Sequence, residues 1–266
     1  MSDRGKTTGR SRARWVLPDR AVVAVFCAVV VLGIAAGLSF PQNLTIGYYI
    51  QQLQVAAFLG IVATGAMFVI LIGEIDLSVP WVMTGAAMIG AGLHSAFPDG
   101  SISHLAIPTA LLFGVICGLW NGLGVAVLRA PSMVWTLGLN ALLLGLSVFY
   151  AGGCNPQTDA SPLMRYLAVG ELSGLVPVSL LVWCAIILVA AFILKRTALG
   201  EWIFGRGCSE RVVFLAGVRT RRITVFVFVW AGFCAALAGV MLAGRAGQAY
   251  QAMGDPYLLP TIAAVV

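Results

Sequence analysis

Two carboxylates, Glu74 and Asp76, stand in the segment GEIDLSVP between long apolar runs. An acidic residue at the centre of a bilayer costs roughly 2.5 to 3.5 kcal/mol, so charge in such a setting needs a partner or a function. One interpretation is that Asp76 or Ser78 caps a helix that Pro80 helps to start, by accepting free backbone amides. The other is that a broken helix end lines or gates a translocation path, with Glu74 and Asp76 as its polar groups. The residues alone leave both interpretations open.

Residues suited to catalysis or metal binding are few and poorly spaced in the rest of the chain. His94 and His104 lack metal-ligand spacing, and the six cysteines form neither a disulfide framework nor a CxxC pair. The GKT at positions 5–7 lacks the preceding glycine that a phosphate-binding loop requires. We therefore expect no catalytic residue, no metal, no cofactor and no ATP hydrolysis by this chain.

The composition indicates a membrane protein. Hydrophobic residues make up 60% of the 266 residues, charged residues make up 10%, and the mean hydropathy is +0.97, which is far outside the range of soluble domains. The apolar runs do not alternate with polar residues as barrel strands do. We expect an all-α polytopic transmembrane bundle of about eight spans and no nucleic-acid partner, with the spans near 21–39, 53–72, 79–97, 104–128, 134–151, 176–194, 223–243 and from 257 onward.

Basic residues predict the orientation of this bundle. Residues 1–20 form a basic tail ahead of the transmembrane domain at 21–266, and a second basic cluster lies in the loop at about 195–222. Alternating the spans from a cytoplasmic N-terminus places fourteen of the sixteen Lys and Arg residues on the cytoplasmic side. The positive-inside rule therefore favours a cytoplasmic tail and a cytoplasmic 195–222 loop.

The predicted fourth span carries Gly114, Gly118 and Gly122 at four-residue spacing. This pattern leaves one helix face without side chains for almost three turns, so another helix can approach closely. We expect a packing seam in a compact bundle.

Four stretches resemble a known family of permeases. GEIDLSV is similar to the GGIDLSVG signature of permease subunits of ABC importers for ribose, xylose and other simple sugars, within a larger group that includes branched-chain amino acid permeases. Glu74 and Pro80 replace glycines of that signature. The NGLGVAVLRAPSMVWTLG stretch from Asn121, the 200–218 stretch and the closing MGDPYLLPTIAAVV resemble further family segments in the same order. The 200–218 stretch departs from the family pattern at several positions, among them Arg206, where the family has an apolar residue.

The resemblance implies a permease subunit in the bacterial inner membrane that imports a simple sugar of the ribose/xylose class by alternating access. Its implied partners are a separate ABC ATPase that uses the ATP, a second permease copy, an extracytoplasmic sugar-binding protein and the lipid bilayer. We expect four polar residues near the substrate path, namely Asp76, Asn121, Thr136 and Asn140. The implied ATPase-coupling residues are Gly205, Gly207, Ser209, Glu210, Arg211, Leu215 and Gly217.

Several alternatives stay open at this point. The basic loop at 195–222 by itself is also explained by topology and contact with anionic lipids, although the resemblance favours docking. The loop at 152–175, with a short surface helix around 162–169, is either a solvated connection or a docking surface for the binding protein. A branched-chain amino acid permease, a secondary transporter and a non-transporting remnant are the rival functions. The last arises because permeases of this group continue past IAAVV, so the resemblance implies further C-terminal helices.

Overall fold

The computed structural model describes residues 20–40, 45–97, 102–150, 152, 158–172 and 176–266. The predicted basic tail lies outside the described residues up to position 19. The chain forms two compact units, Met1–Tyr49 and Ile50–Val266. In the first unit, helix α1 spans Arg20–Ser39, and helix α2 begins at Ile46.

The second unit is built almost entirely from helices. After α2, which ends at Leu71, the helices are α3 (Val79–Ala96), α4 (Ala106–Ala126, preceded by a 3-10 turn at Ser103–Leu105), α5 (Ser132–Tyr150), α6 (Pro162–Val169), α7 (Val178–Arg196), α8 (Ala198–Cys208), α9 (Glu210–Leu215), α10 (Thr220–Ala246) and α11 (Leu258–Val265, preceded by a 3-10 turn at Asp255–Tyr257). Two antiparallel pairs of two-residue strands join loops: β1 (Thr158–Asp159) with β4 (Gln248–Ala249), and β2 (Glu171–Leu172) with β3 (Val176–Pro177).

Each predicted span coincides with a helix, and the all-α polytopic class is confirmed. Among the described residues, five helices are both long and apolar enough to cross a membrane, namely α2, Ser103–Ala126, α5, α7 and α10. The predicted number of eight spans is therefore not confirmed.

Helix α10 lies at the centre of the second unit and packs against both α3 and α4, which also pack against each other. A Cβ atom at Gly114 would overlap the carbonyl oxygen of Gly232 in α10, and one at Gly118 would overlap that of Phe228. A Cβ atom at Gly122 would also lie too close to the α10 backbone, at Val225. The predicted glycine seam of α4 is thus confirmed, and its partner is α10. On another face of α10, Gly239 lies against the backbone of α3.

The short helix predicted around 162–169 is confirmed as α6. Ser161 caps it, because its Oγ accepts a hydrogen bond from the Met164 amide at 3.2 Å, and Pro162 occupies the first turn. Met164 and Ala168 are fully buried. The helix is therefore anchored to the bundle on one face instead of lying free on the surface.

Candidate functional site

The centre of the candidate site is the interruption between α2 and α3 at residues 72–78, which we call the helix break. Helix α2 ends in a turn in which the amides of Gly73 and Glu74 donate to the carbonyls of Ile70 (2.9 Å) and Val69 (3.1 Å). Gly73 has a φ of 80°, a left-handed conformation that glycine adopts without strain at the end of a helix. The chain then runs as a non-helical segment to α3.

The first turns of α5 supply hydrogen-bond acceptors for the amides of this segment. The Ile75 amide donates to Ser132 Oγ at 3.3 Å, and the Leu77 amide donates to Thr136 Oγ1 at 3.0 Å. Thr136 Oγ1 also donates to the Ser132 carbonyl within α5 at 2.8 Å. Buried amides without a partner are costly. Two hydroxyl side chains of α5 therefore stabilise the broken conformation.

Asp76 organises the other half of the break. Its Oδ1 accepts hydrogen bonds from the Ser78 amide (2.9 Å), the Ser78 hydroxyl (2.7 Å) and Asn121 Nδ2 (3.4 Å). Asn121 Nδ2 also donates to Ser78 Oγ at 2.8 Å. All three residues are buried. The carboxylate thus has donors from its own segment and from α4, as a buried charge requires.

The geometry corrects one detail of the predicted cap. Ser78 occupies the N-cap position of α3, but its side chain accepts no helical amide, and its hydroxyl donates to Asp76 instead. Asp76 does accept a free backbone amide, but that amide belongs to Ser78 and precedes the helix. Pro80 lies in the first turn as predicted. The acidic side chain therefore stabilises the break itself more than the helix that follows.

The structure brings together three of the four predicted path residues. Asp76, Asn121 and Thr136 all contact the break, and the packing of α4 on α10 at the neighbouring Gly122 holds Asn121 in place. Asn140 is half-buried one turn further along α5. No hydrogen bond within the described residues joins Asn140 to the break, and its Oδ1 is buried without a hydrogen-bond partner.

The predicted coupling loop contains two short helices, α8 and α9, separated by Ser209. We call residues 205–217, which contain the predicted coupling residues, the coupling segment. Glu210, Arg211 and Leu215 are exposed, and Gly217, with a φ of 81°, forms the turn toward α10. Gly207 packs directly on the end of α2, because a Cβ there would overlap the carbonyl oxygen of Leu71. The coupling segment therefore touches the helix break.

The C-terminal motif reaches the same region. The Gly254 amide donates to Thr84 Oγ1 at 3.1 Å, and a Cβ at Gly254 would overlap the carbonyl oxygen of Pro80. All four stretches on which the family resemblance rests thus meet around the break and the start of α3. These four stretches are far apart along the sequence, and their positions in it do not indicate that they meet.

A cavity of about 1070 Å³ opens beside the break and the coupling segment. Two glutamates, Glu74 and Glu210, contribute to its lining together with six arginines, namely Arg129, Arg206, Arg211, Arg219, Arg221 and Arg222. These arginines belong to segments between predicted spans that the charge pattern assigned to one side of the membrane, and the structure places them together. The excess of positive charge favours a partner surface that carries negative charge.

Three contributions to the site escaped the sequence analysis. Ser132 follows Pro131 at the start of α5, a position at which serine is normally interpreted as a cap for its own helix. Ser78 was considered only as a cap. Arg206 was noted as a departure from the family pattern, but nothing in the sequence paired it with Glu74, whose Oε1 lies 3.5 Å from Arg206 Nη2.

The Thr136→Val variant tests the contribution of α5 to the break. Valine has the same shape but cannot accept the hydrogen bond that the Leu77 amide donates. We therefore expect a loss of about 1 to 3 kcal/mol in the free energy of unfolding. Thr109→Val is the matched control, because Thr109 bonds only carbonyls of its own turn. Thermal unfolding in detergent measures both variants, and equal melting temperatures would contradict a stabilising role for Thr136.

Comparisons with known proteins agree with this architecture. Residues 48–266 match the family described as branched-chain amino acid transport system / permease component. The ribose import permease protein of Haemophilus influenzae is 31% identical over 99% of this chain and 80% of its own length. The autoinducer 2 import system permease protein of Escherichia coli is 32% identical over 95% of this chain and 72% of its own length.

A galactofuranose transporter permease protein of Escherichia coli is 31% identical over 89% of this chain and 69% of its own length. No solved structure matches the chain. The family match covers all four motifs, and the helical membrane architecture agrees with it. The chain therefore belongs to the branched-chain amino acid transport system permease family, as a member similar to the permeases of sugar ABC importers.

Proposed function

We propose that this chain is the permease subunit of an ABC importer that moves a simple sugar of the ribose/xylose class by alternating access. A separate ATPase supplies the energy, a second copy of this chain completes the pore, and an extracytoplasmic binding protein delivers the sugar. The relatives named for ribose and galactofuranose import support the sugar class. They favour it over the branched-chain amino acids that the family description names.

The observation that carries the proposal is the direct contact between the coupling segment and the helix break. Gly207 lies against Leu71 at the end of α2, and the break contains the buried polar cluster of Asp76, Ser78 and Asn121. This contact gives a displacement of the coupling segment by a partner a direct route to the interrupted region that holds predicted path residues. Interrupted helices at substrate sites are a recurring feature of transporters.

The orientation belongs to the same proposal. With the N-terminus in the cytoplasm, the arginine-lined cavity and the coupling segment face the ATPase, while α6 and the 152–175 loop face the binding protein. Asp159, Arg165 and Glu171 are exposed on that loop and are available for docking. The gathering of arginines around one cavity supports this orientation.

Reconstitution tests the function directly. The permease is purified with its cognate ATPase, placed in proteoliposomes and supplied with the binding protein, and uptake of labelled ribose and xylose is measured with ATP on the ATPase side. We expect sugar uptake that stops when ATP is omitted. Uptake of leucine instead of sugar would assign the chain to amino acid import. Uptake driven by a proton gradient without ATP would overturn the proposal in favour of a secondary transporter.

A double variant, Glu210→Ala with Arg211→Ala, tests the docking surface. Both side chains are exposed on α9, and we expect roughly a tenfold weaker association with the ATPase, which corresponds to about 1.4 kcal/mol. The matched control is Arg196→Ala with Glu201→Ala, which removes one charge of each sign from exposed residues outside the predicted coupling set. Copurification measures the association. An unchanged yield of complex together with unchanged ATP-driven uptake would count against the coupling assignment.

A further inference from the structure

An ion pair joins the coupling segment to the helix break. Arg206 Nη2 in α8 lies 3.5 Å from Glu74 Oε1, although 132 positions separate the two residues. The arginine side chain is 7% exposed and the glutamate side chain is 24% exposed. A guanidinium group at this depth needs a carboxylate to offset its lost hydration. The pair therefore differs from an ion pair between two surface charges, because its arginine is buried.

The same arginine reaches two further elements. Its Nη1 donates to Thr224 Oγ1 in α10, and its Nε lies 3.9 Å from Glu210 Oε1 at the start of α9. The planar guanidinium group holds several donors in fixed directions, which a lysine cannot reproduce. One side chain of α8 thus connects this helix to the break, to α9 and to α10.

A second contact lies beside this ion pair. Gly207, the next residue, packs against the carbonyl oxygen of Leu71 at the end of α2. Two consecutive residues of α8, Arg206 and Gly207, therefore contact the turn that ends α2, one at Glu74 and the other at Leu71. Any displacement of this end of α8 has to move the break with it or separate the ion pair.

We infer that Arg206 is a positioning residue that transmits movement of the coupling segment to the helix break through Glu74, an inference that rests on the proposed function. Glu74 stands where the family signature has glycine, and Arg206 stands where the family pattern has an apolar residue. The structure pairs these two departures with each other. Loss of Glu74 removes the nearer carboxylate from a buried guanidinium group, and loss of Arg206 leaves Glu74 without its partner, whereas loss of both restores a neutral contact.

A double-mutant cycle tests the link. The variants are Glu74→Gln, Arg206→Leu and the double variant that combines these two substitutions, each assembled with the ATPase and compared at equal amounts of folded complex. The measured quantity is sugar taken up per ATP hydrolysed. We expect each single variant to lower this ratio roughly tenfold, and the double variant to recover most of it. Glu201→Gln, an exposed glutamate on the same helix, is the matched control and should keep the wild-type ratio.

Hydrogen exchange gives a second readout that needs no ATPase. In the permease alone, Arg206→Leu should speed amide exchange in residues 73–78 and leave the middle of α5 unchanged, and the double variant should restore slow exchange. The inference is overturned if both single variants keep the wild-type ratio and exchange rate, or if the double variant remains as impaired as the singles. Failure of the wild-type complex to couple uptake to ATP would remove the proposed function, while the exchange measurement would still decide whether Arg206 holds the break.

Discussion

The Asp76→Ala variant is expected to lose about 2 to 4 kcal/mol in its free energy of unfolding, because three donors lose their acceptor in a buried site. These donors are the Ser78 amide, the Ser78 hydroxyl and Asn121 Nδ2. Thermal unfolding of the detergent-solubilised protein measures the loss. Asp159→Ala, which removes an exposed aspartate, serves as the control and should melt close to the wild type.

The Asp76→Asn variant separates the structural role of this side chain from a role of its charge. Asparagine keeps an oxygen in the position of Oδ1, so the three hydrogen bonds persist and the fold should be retained. Near-normal ATP-driven uptake would show that hydrogen bonding is sufficient and would exclude a charged gate. A folded variant without uptake would show that the path needs the charge. If the alanine variant melts like the wild type, the cluster does not stabilise the break.

The Gly118→Val variant is expected to prevent correct assembly of the bundle, with a destabilisation of about 3 kcal/mol or more. Overpacking usually costs about 1 to 3 kcal/mol when side chains can shift, but here the added carbon atom would overlap the backbone of α10 at Phe228. Backbone in the middle of a central helix cannot yield by a rotamer change. The yield of monodisperse protein after detergent extraction measures the effect.

Gly145→Val is the matched control for this seam. Gly145 also lies within a helix, but no atom stands within 4 Å of a Cβ built there, so the variant carries only the intrinsic cost of a β-branched residue in a helix. Equal yields of the two variants would mean that α4 and α10 do not pack as closely as the structure indicates.

Much of the fold follows from local patterns in the sequence. Apolar runs of sufficient length identify the spans, the spacing of Gly114, Gly118 and Gly122 identifies a close helix contact, and the Ser161-Pro162 pair marks the start of α6. Helix α3 shows the limit of such patterns, because it coincides with a predicted span but is not among the five helices that are both long and apolar enough to cross a membrane.

The candidate site was only partly predictable because its contacts join distant segments. Asp76 and Thr136 were selected as polar residues in apolar surroundings, yet the bond from Leu77 to Thr136 links positions 59 residues apart. No local periodicity encodes such a contact. The Glu74–Arg206 pair was inaccessible for the same reason, since each residue alone was only a departure from a family pattern.

The hydrogen bonding of the helix break bears on how an interrupted helix is solvated. Backbone amides that lose their helical acceptors have to be bonded by water or by other groups of the protein. Here the amides of Ile75, Leu77 and Ser78 are bonded to hydroxyl and carboxylate groups of the protein. The interruption therefore needs no water at these three amides, and side chains of the bundle take the place of solvent around the non-helical backbone.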